Sequence, residues 1–315
     1  MYICQKKVTL QLLKNTKPWS QLFALALIIL GLGIFIMMLG ILIGSLFVEG
    51  PILDQLAQMN QDATKIGLIK YFQIISQIGF FIAPPLFFAF LVDKNLLRFF
   101  SMERFPNYLI LLLSLVLMTL SNPINDWLIY YNNLIHLPEA LSEVEQWMRH
   151  AEQKAAVLTN LLLDMHSWKD YVTNLFMIGL LAALGEELLF RGVLQPLFIK
   201  IFGNAHMAIW ITAFLFSFIH FQFYGFFARM FAGAVLGYLF YYSKNLWIPI
   251  LAHFFNNAMV VSYVFFTNMP LASTQLEDLN KETPNALYAL VSLGLIIAGL
   301  YWMQGRNVKS TLGSS

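Results

Sequence analysis

Residues 185–191, Gly-Glu-Glu-Leu-Leu-Phe-Arg, place three ionisable side chains inside a segment that is otherwise apolar enough to span a membrane. Apolar residues dominate positions 171–184 before this stretch and positions 192–199 after it. A carboxylate at bilayer depth costs at least ~2.5–3.5 kcal/mol, so two adjacent glutamates there require compensating partners. The stretch therefore predicts either a functional site or an ion pair that only holds helices together.

The helical repeat separates the two glutamates. Side chains four residues apart lie on one face of an α-helix, whereas neighbouring side chains point about 100° apart. Glu187 is therefore expected to pair with Arg191 within its own helix. Glu186 is expected to point elsewhere in the bundle, where its carboxylate could accept a proton.

The composition is that of a membrane protein with several spans. Hydrophobic residues make up 59% of the 315-residue chain and charged residues 11%, whereas a soluble domain carries about 25% charged residues. The formal net charge of +2 gives no indication of a nucleic-acid partner. Cys4 is the single cysteine, which excludes an intramolecular disulfide bond and a cysteine-based metal site.

Apolar runs predict an all-α, polytopic membrane helix bundle of about eight transmembrane helices. The first run is longer than the apolar core of a signal peptide and no obvious cleavage site follows it, so we expect a retained span. The predicted spans cover residues 22–48, 66–92, 108–120, 171–199, 207–223, 230–242, 247–266 and 286–303.

The charges between the predicted spans alternate from one connection to the next. Positive residues concentrate at both termini and in three turns: Lys6, Lys7, Lys14, Lys17, Lys94, Arg98, Arg104, Lys200, Lys244, Arg306 and Lys309. Acidic residues prevail in the other connections, among them Glu49, Asp54, Asp62, Glu277, Asp278 and Glu282. Because cytoplasmic loops are enriched in Lys and Arg, we expect both termini in the cytoplasm. A separate expectation is that the membrane is a bacterial inner (cytoplasmic) membrane.

The connection after the third span is long enough to form structure outside the membrane. Its residues 138–159 carry apolar side chains at three- and four-residue spacing, which predicts an amphipathic helix that lies on the bilayer surface or caps the bundle. The chain then divides into three parts. They are an N-terminal part with three spans and this loop helix (1–165), a core of four spans (166–270), and an external loop, last span and cytoplasmic tail (271–315).

Two pairs of glycines are spaced one helical turn apart within predicted spans. Gly40 and Gly44 form one pair, and Gly233 and Gly237 form the other. Small residues at this spacing predict close packing of neighbouring helices.

Further polar residues fall within the predicted spans. His220 lies in the fifth span, and His253 lies in the seventh span four residues before Asn257, on the same helix face. At a rise of ~1.5 Å per residue, Glu186, His220 and Asn257 each lie roughly 20 Å from the cytoplasmic end of their spans and His253 roughly 13 Å. These four side chains can therefore meet in one layer.

The four residues suit the hydrolysis of a peptide bond. A carboxylate with a histidine can deprotonate a trapped water, and a histidine with an asparagine can donate hydrogen bonds to the resulting oxyanion. Alternatively, Glu186, His220 and His253 could be three zinc ligands that leave an open coordination position. A cofactor is not required by the first arrangement, and zinc is required by the second.

Three motifs resemble those of the CPBP family of intramembrane proteases, which comprises CAAX prenyl proteases, bacteriocin-processing enzymes and abortive-infection proteins. They are Glu186-Glu187-xxx-Arg191, Phe216-xxx-His220 and His253-xxx-Asn257, in the family's order. The likeness covers about residues 170–267.

The resemblance implies a helical bundle whose active site opens toward the cytoplasmic leaflet, and endoproteolysis of a peptide or membrane-protein substrate. It implies that Glu186 activates water together with His220, and that His253 and Asn257 hold the oxyanion. Glu187 and Arg191 would support the site. Metal dependence stays open. The rival hypotheses are a non-catalytic immunity or scaffold protein that binds a peptide or partner, and a proton-coupled transporter.

Overall fold

The computed structural model describes residues 11–52, 66–269 and 283–312, and the regular elements in these ranges are helical. The predicted all-α membrane helix bundle is confirmed. Some residues used in the sequence analysis lie outside the described ranges: Cys4, Lys6, Lys7, Asp54, Asp62, Glu277, Asp278 and Glu282.

Eight helical units occupy the places of the eight predicted spans. In chain order the helices are α1 (Pro18–Gly44), α2 (Ile66–Val92), α3 (Leu96–Phe99), α4 (Tyr108–Leu120), α5 (Asn122–Asn133), α6 (Ser142–Leu163), α7 (Trp168–Phe202), α8 (Ala205–Phe218), α9 (Phe226–Ser243), α10 (Trp247–Thr267) and α11 (Ala286–Leu312). α4 and α5 together form one of these units, and α3 and α6 lie in the connections between units. In the described ranges, six units are long and apolar enough to cross a membrane: α1, α2, α4 with α5, α7, α10 and α11. The shorter α8 packs against α9 as a helical hairpin.

The connections between these helices collect on two opposite faces, because consecutive helices run in opposite directions. We call one the lysine face; it carries the start of α1, the turns 93–107, 203–204 and 244–246, and the end of α11. Asn245 joins two of these turns by donating from Nδ2 to the carbonyl of Arg104 at 2.8 Å. The opposite α6 face carries α6 and the ends of α5 and α10.

The turn between α8 and α9 reaches the α6 face. Glu152 of α6 accepts a hydrogen bond from the N–H of Tyr224 at 3.2 Å. Asn132 at the end of α5 donates to the carbonyls of Phe223 and Tyr224, each at 2.7 Å. The ring of Trp147 packs against that of Phe223, with 5.1 Å between centroids. The hairpin therefore enters from the lysine face and reverses beside α6.

His220 lies in this turn, which corrects the prediction that it belongs to the fifth span. α8 ends at Phe218, and the N–H groups of His220 and Phe221 donate to the carbonyls of Ser217 and Phe218. Phe221 then adopts a φ of 51°, a left-handed conformation that turns the chain toward α9. Because residues 219–223 are mostly apolar, their composition gave no indication that the chain reverses direction there.

The third span is longer than predicted. α4 ends at Leu120 as expected, but Pro123 occupies the first turn of α5, where its missing N–H is tolerated. α5 continues the helical path to Asn133 and packs against α9 and α11. Residues 122–133 therefore belong to the bundle and not to the outer connection.

The predicted amphipathic helix is confirmed as α6, which begins and ends four residues later than expected. Arg149 donates to Glu145 in its first turns at 2.6 Å, and this hydrogen bond is the main reason why the pKa of Glu145 is lowered to about 2. At the other end, the carbonyl of Leu162 accepts from Nδ2 of Asn174 on α7 at 2.5 Å. α6 thus caps the bundle, one of the two placements that the sequence pattern allowed.

Two glycines of α9 bring this helix against α7, as their spacing predicts. Arg191 donates to the carbonyl of Gly233 at 2.7 Å, and Gln195 donates to that of Gly237 at 3.0 Å. A Cβ atom on Gly237 would lie 2.8 Å from Cγ2 of Ile209 and 2.9 Å from Oε1 of Gln195. A larger residue at position 237 must therefore displace its neighbours.

We expect Gly237→Ala to destabilise the protein by about 1–3 kcal/mol, because overpacking forces side chains and backbone to shift. Gly294→Ala on α11 is the matched control, since a Cβ there meets no atom within 4 Å. Alanine favours a helix by about 0.5–1 kcal/mol over glycine, so the control should melt at the wild-type temperature or slightly above. Equal melting temperatures of the two variants in detergent would contradict the close packing.

Candidate active site

The two adjacent glutamates lie between two π-helical segments of α7. Leu175–Leu181 and Phe190–Leu194 are π-helical, and Ala182–Leu189 between them is α-helical. Single π-helical turns inside α-helices are rare and are frequent at functional sites. Glu186 and Glu187 thus lie in a short α-helical stretch with an irregular helix on either side.

Glu187 forms a buried charge network with Arg191 and His253. Oε1 of Glu187 accepts from Nη1 of Arg191 at 2.7 Å and lies 2.9 Å from Nδ1 of His253. The side chains of Glu187 and Arg191 are both 0% exposed. Nη2 of Arg191 donates to the carbonyl of Gly233, and its guanidinium lies 4.9 Å from the centroid of the Phe216 ring. One ion pair therefore joins α7, α9 and α10.

Glu186 points away from this network and into a cavity. Its side chain is almost fully buried, and its Oε2 lies 3.8 Å from Nε2 of His253. Among the described residues, no hydrogen bond reaches its carboxylate. The two neighbouring glutamates thus have different environments, because one faces protein partners and the other faces open space.

Hydrogen bonds define the free nitrogen of each imidazole. Nδ1 of His253 faces the carboxylate of Glu187, which can only accept, so this nitrogen carries a hydrogen. Nδ1 of His220 lies 2.7 Å from the carbonyl of Phe216 and donates for the same reason. Each ring therefore keeps Nε2 for water or a ligand. The Phe216 ring contacts both imidazoles, with centroid distances of 5.2 Å and 6.0 Å.

Asn257 follows His253 by one turn of α10, and both residues line the cavity with Glu186 and His220. Its Nδ2 donates to the carbonyl of Ile178 at 3.1 Å, in the first π-helical segment of α7. This bond uses one of the two amide hydrogens and leaves the second for a bound oxygen. The structure thus brings together all four residues that the sequence placed in one layer.

The cavity has a volume of about 650 Å³ and lies toward the α6 face. The end of α6 lines it with Thr159, Leu162 and Leu163, whereas none of its described lining residues belongs to the turns of the lysine face. We expected the cavity to open toward the cytoplasmic leaflet and both termini to lie in the cytoplasm. These two expectations are not compatible, because they place opposite faces of the bundle on the same side of the membrane. The start of α1 and the end of α11 lie on the face opposite the cavity.

Six polar residues of the lining were not predicted from the sequence: Gln73, Gln77, Asn125, Thr159, Arg229 and Asn256. Oε1 of Gln77 and Oδ1 of Asn125 are buried without a hydrogen-bond partner in the described part of the chain. Arg229 donates to Oε1 of Gln222 at 2.6 Å. It is the one charged residue within the apolar α9, so the reasoning that singled out Glu186 could have found it.

The described residues do not form a ready metal site. They contain no group of three or more His, Cys, Asp or Glu side chains that could hold an ion. Oε2 of Glu186 lies 3.8 Å from Nε2 of His253, but the three proposed zinc ligands Glu186, His220 and His253 do not form such a group in the described part of the chain. We derive no catalytic step through a metal.

Residues 168–259 match the family model described as type II CAAX prenyl endopeptidase Rce1-like. The chain is also similar to the uncharacterized protein YpbD of Bacillus subtilis (strain 168), with 26% identity over 125 residues. That alignment covers 38% of this chain and 61% of the relative, so this chain spans about three fifths of the relative's length. No solved structure matches the chain.

We expect Arg191→Ala to lower the melting temperature strongly. It leaves the buried carboxylate of Glu187 without its guanidinium, and breaking a buried pair in this way costs ~3–5 kcal/mol. Arg98→Ala is the matched control, because Arg98 pairs with Asp93 at the surface, where its side chain is 62% exposed. Such surface pairs contribute little to stability, so this variant should melt close to wild type. Thermal melts of both variants in detergent measure the difference, and similar values would refute the supporting role.

Proposed function

We propose that the chain is an intramembrane endopeptidase that hydrolyses a peptide bond, because residues 168–259 match the Rce1-like model of type II CAAX prenyl endopeptidases. The observation that carries the proposal is the carboxylate of Glu186. It is buried, faces a cavity, and has two imidazoles and a carboxamide beside it on the cavity wall. A carboxylate with room for water next to it is suited to act as a general base.

The first step is the activation of water. Glu186 accepts one proton of a water molecule in the cavity. His220 orients the same water, because Nε2 of its neutral ring can accept the second hydrogen while Nδ1 donates to Phe216. The water oxygen then forms a bond to the carbonyl carbon of the substrate peptide.

The second step is the stabilisation of the negative oxygen that this addition creates. Asn257 can donate the amide hydrogen that the carbonyl of Ile178 does not use. Nε2 of His253 faces the same oxygen and donates to it when this nitrogen carries a hydrogen, while Nδ1 stays bound to Glu187. Donors fixed in place before the reaction stabilise a developing charge because they need no reorganisation.

The third step breaks the carbon–nitrogen bond. Glu186 passes the proton taken from water to the leaving nitrogen, which departs as an amine, and the other product is a new carboxyl terminus. Glu186 is then ionised again, as it was before the reaction. Glu187 and Arg191 act as positioning residues, since they hold the ring of His253 in place.

The proposed substrate is a peptide or a segment of a membrane protein. Glu186, His253 and Asn257 lie on helices long and apolar enough to cross the bilayer, and His220 lies in the turn beside them. A substrate must therefore reach them within or next to lipid. We place the protein in a bacterial inner membrane, where the lipid bilayer surrounds the apolar helices, and we propose no nucleic-acid partner.

A non-catalytic immunity or scaffold protein is the second candidate. The observation in its favour is the network of Glu187, Arg191 and His253, which joins three helices and would hold them together without any chemistry. Such a protein would bind its peptide or partner equally well after Glu186→Gln, and a cellular phenotype that it confers would persist in that variant.

We expect Glu186→Gln to lower the rate of peptide cleavage by at least ~10²-fold, because general acid–base catalysis contributes 10²–10⁴-fold. The measurement uses purified protein and a library of peptides whose products are identified by mass spectrometry. Glu143→Gln is the matched control, since this glutamate of α6 is exposed and does not line the cavity. Cleavage by Glu186→Gln at the rate of Glu143→Gln would refute the assignment.

A further inference from the structure

The cavity is confined to one half of the bundle. On α2, which starts at the α6 face, the lining residues are Gln73, Gln77 and Phe81, and the last of them lies just past the middle of the helix. On α7, which also starts there, the lining begins at Met177 and ends at Glu186, near the middle of the helix. Both helices continue to the lysine face without contributing further to the lining.

α6 lies directly over this half of the bundle. Its first half contacts the turn between α8 and α9 through Trp147 and Glu152. Its last turns line the cavity through Thr159 and Leu162. α6 therefore crosses from the turn that holds His220 to the start of α7, and its last turns form part of the cavity wall.

The charges on the two faces differ. On the lysine face the described basic residues are Lys14, Lys17, Lys94, Arg98, Arg104, Lys200, Lys244 and Arg306. Near the α6 face the described basic residues are Lys70, Arg149, Lys154, Lys169 and Arg229, and the acidic residues are Glu49, Glu139, Glu143, Glu145, Glu152, Asp164 and Asp170. The described acidic residues of the lysine face are Asp93 and Glu103, so basic residues prevail on that face alone. Because positive residues near the ends of membrane helices mark the cytoplasmic side, the lysine face is assigned to the cytoplasm.

We propose that the catalytic cavity opens to the extracytoplasmic side of the membrane, and that its substrate is a peptide segment already translocated across the bilayer. The term substrate rests on the proposed peptidase function, whereas the side on which the cavity opens does not. The proposal departs from the cytoplasmic opening that the family resemblance implied. It follows from the position of α6 together with the distribution of lysine and arginine.

This assignment gives the reaction a place in a sequence of events. A peptide that reaches the α6 face from the cytoplasm must first be exported, so a translocation reaction must supply the substrate. The chain would then cleave segments that remain in or near the outer leaflet after export. Cytoplasmic peptides would not be cleaved unless the membrane were opened.

The orientation can be tested by cysteine labelling, because Cys4 is the single cysteine and Cys4→Ser gives a cysteine-free background. Three single-cysteine variants report on the two faces and the cavity. Glu143→Cys is exposed on α6, Lys94→Cys is exposed on the lysine face, and Ile219→Cys lines the cavity with a side chain that is 38% exposed. A charged, membrane-impermeant maleimide is added to spheroplasts, to inverted vesicles and to detergent-solubilised protein.

The proposal predicts that Glu143→Cys and Ile219→Cys are labelled in spheroplasts, whereas Lys94→Cys is labelled only in inverted vesicles. The reverse pattern at Glu143 and Lys94 would overturn the orientation. Labelling of Ile219→Cys only in inverted vesicles would overturn the direction of opening. If Ile219→Cys does not react even in detergent, Thr159→Cys replaces it as the cavity reporter.

A second measurement connects the orientation to cleavage. A library of charged peptides that cannot cross membranes is added to spheroplasts that contain the wild-type chain, with Glu186→Gln as the inactive control. We expect products only from the wild type. Products that form only with inverted vesicles would overturn the proposal and leave the peptidase assignment intact. Labelling as expected, with no wild-type cleavage in either preparation or in detergent, would count against the peptidase and not against the orientation.

Discussion

Two opposite charges buried side by side on one helix hold the candidate site together. Glu187 and Arg191 have no exposure to solvent, and in lipid each would be costly without the other. Their pairing also fixes the ring of His253, which shares the same carboxylate oxygen. Because Glu187 satisfies both partners, Glu186 is left as the carboxylate that faces the cavity.

The local part of this arrangement could be predicted from the sequence. The four-residue spacing predicted that Glu187 contacts Arg191 and that Asn257 lies on the same helix face as His253. In the structure Arg191 donates to Glu187, and His253 and Asn257 lie one turn apart on α10. These relations depend only on the repeat of a helix, which the π-helical segment at Phe190–Leu194 does not disrupt at this pair. Helix count and class could also be predicted, since they depend on the length of apolar runs.

The parts that depend on contacts between distant residues could not be predicted. His220 lies in a turn because Phe221 takes a left-handed conformation, and an apolar sequence gives no signal of this. The bond from Asn257 to Ile178 depends on where the π-helical segment of α7 lies. Gln77 and Asn125 face the cavity only because α2 and α5 pack where they do.

The opening of the cavity toward α6 is consistent with the chemistry that Glu186 would perform. The ionised form of Glu186 that the proposed reaction uses requires water beside the carboxylate, because an isolated ionised carboxylate is costly to bury. Hydrolysis consumes one water in each turnover, so the cavity needs continuous exchange with bulk water. The polar lining by Gln77, Asn125 and Arg229 gives water a path of hydrogen-bonding groups within the half of the bundle beneath α6. His220 lies in the turn that brings α8 back as α9, and Arg229 is bonded to Gln222 of the same turn, so this turn contributes both to the water path and to the catalytic geometry.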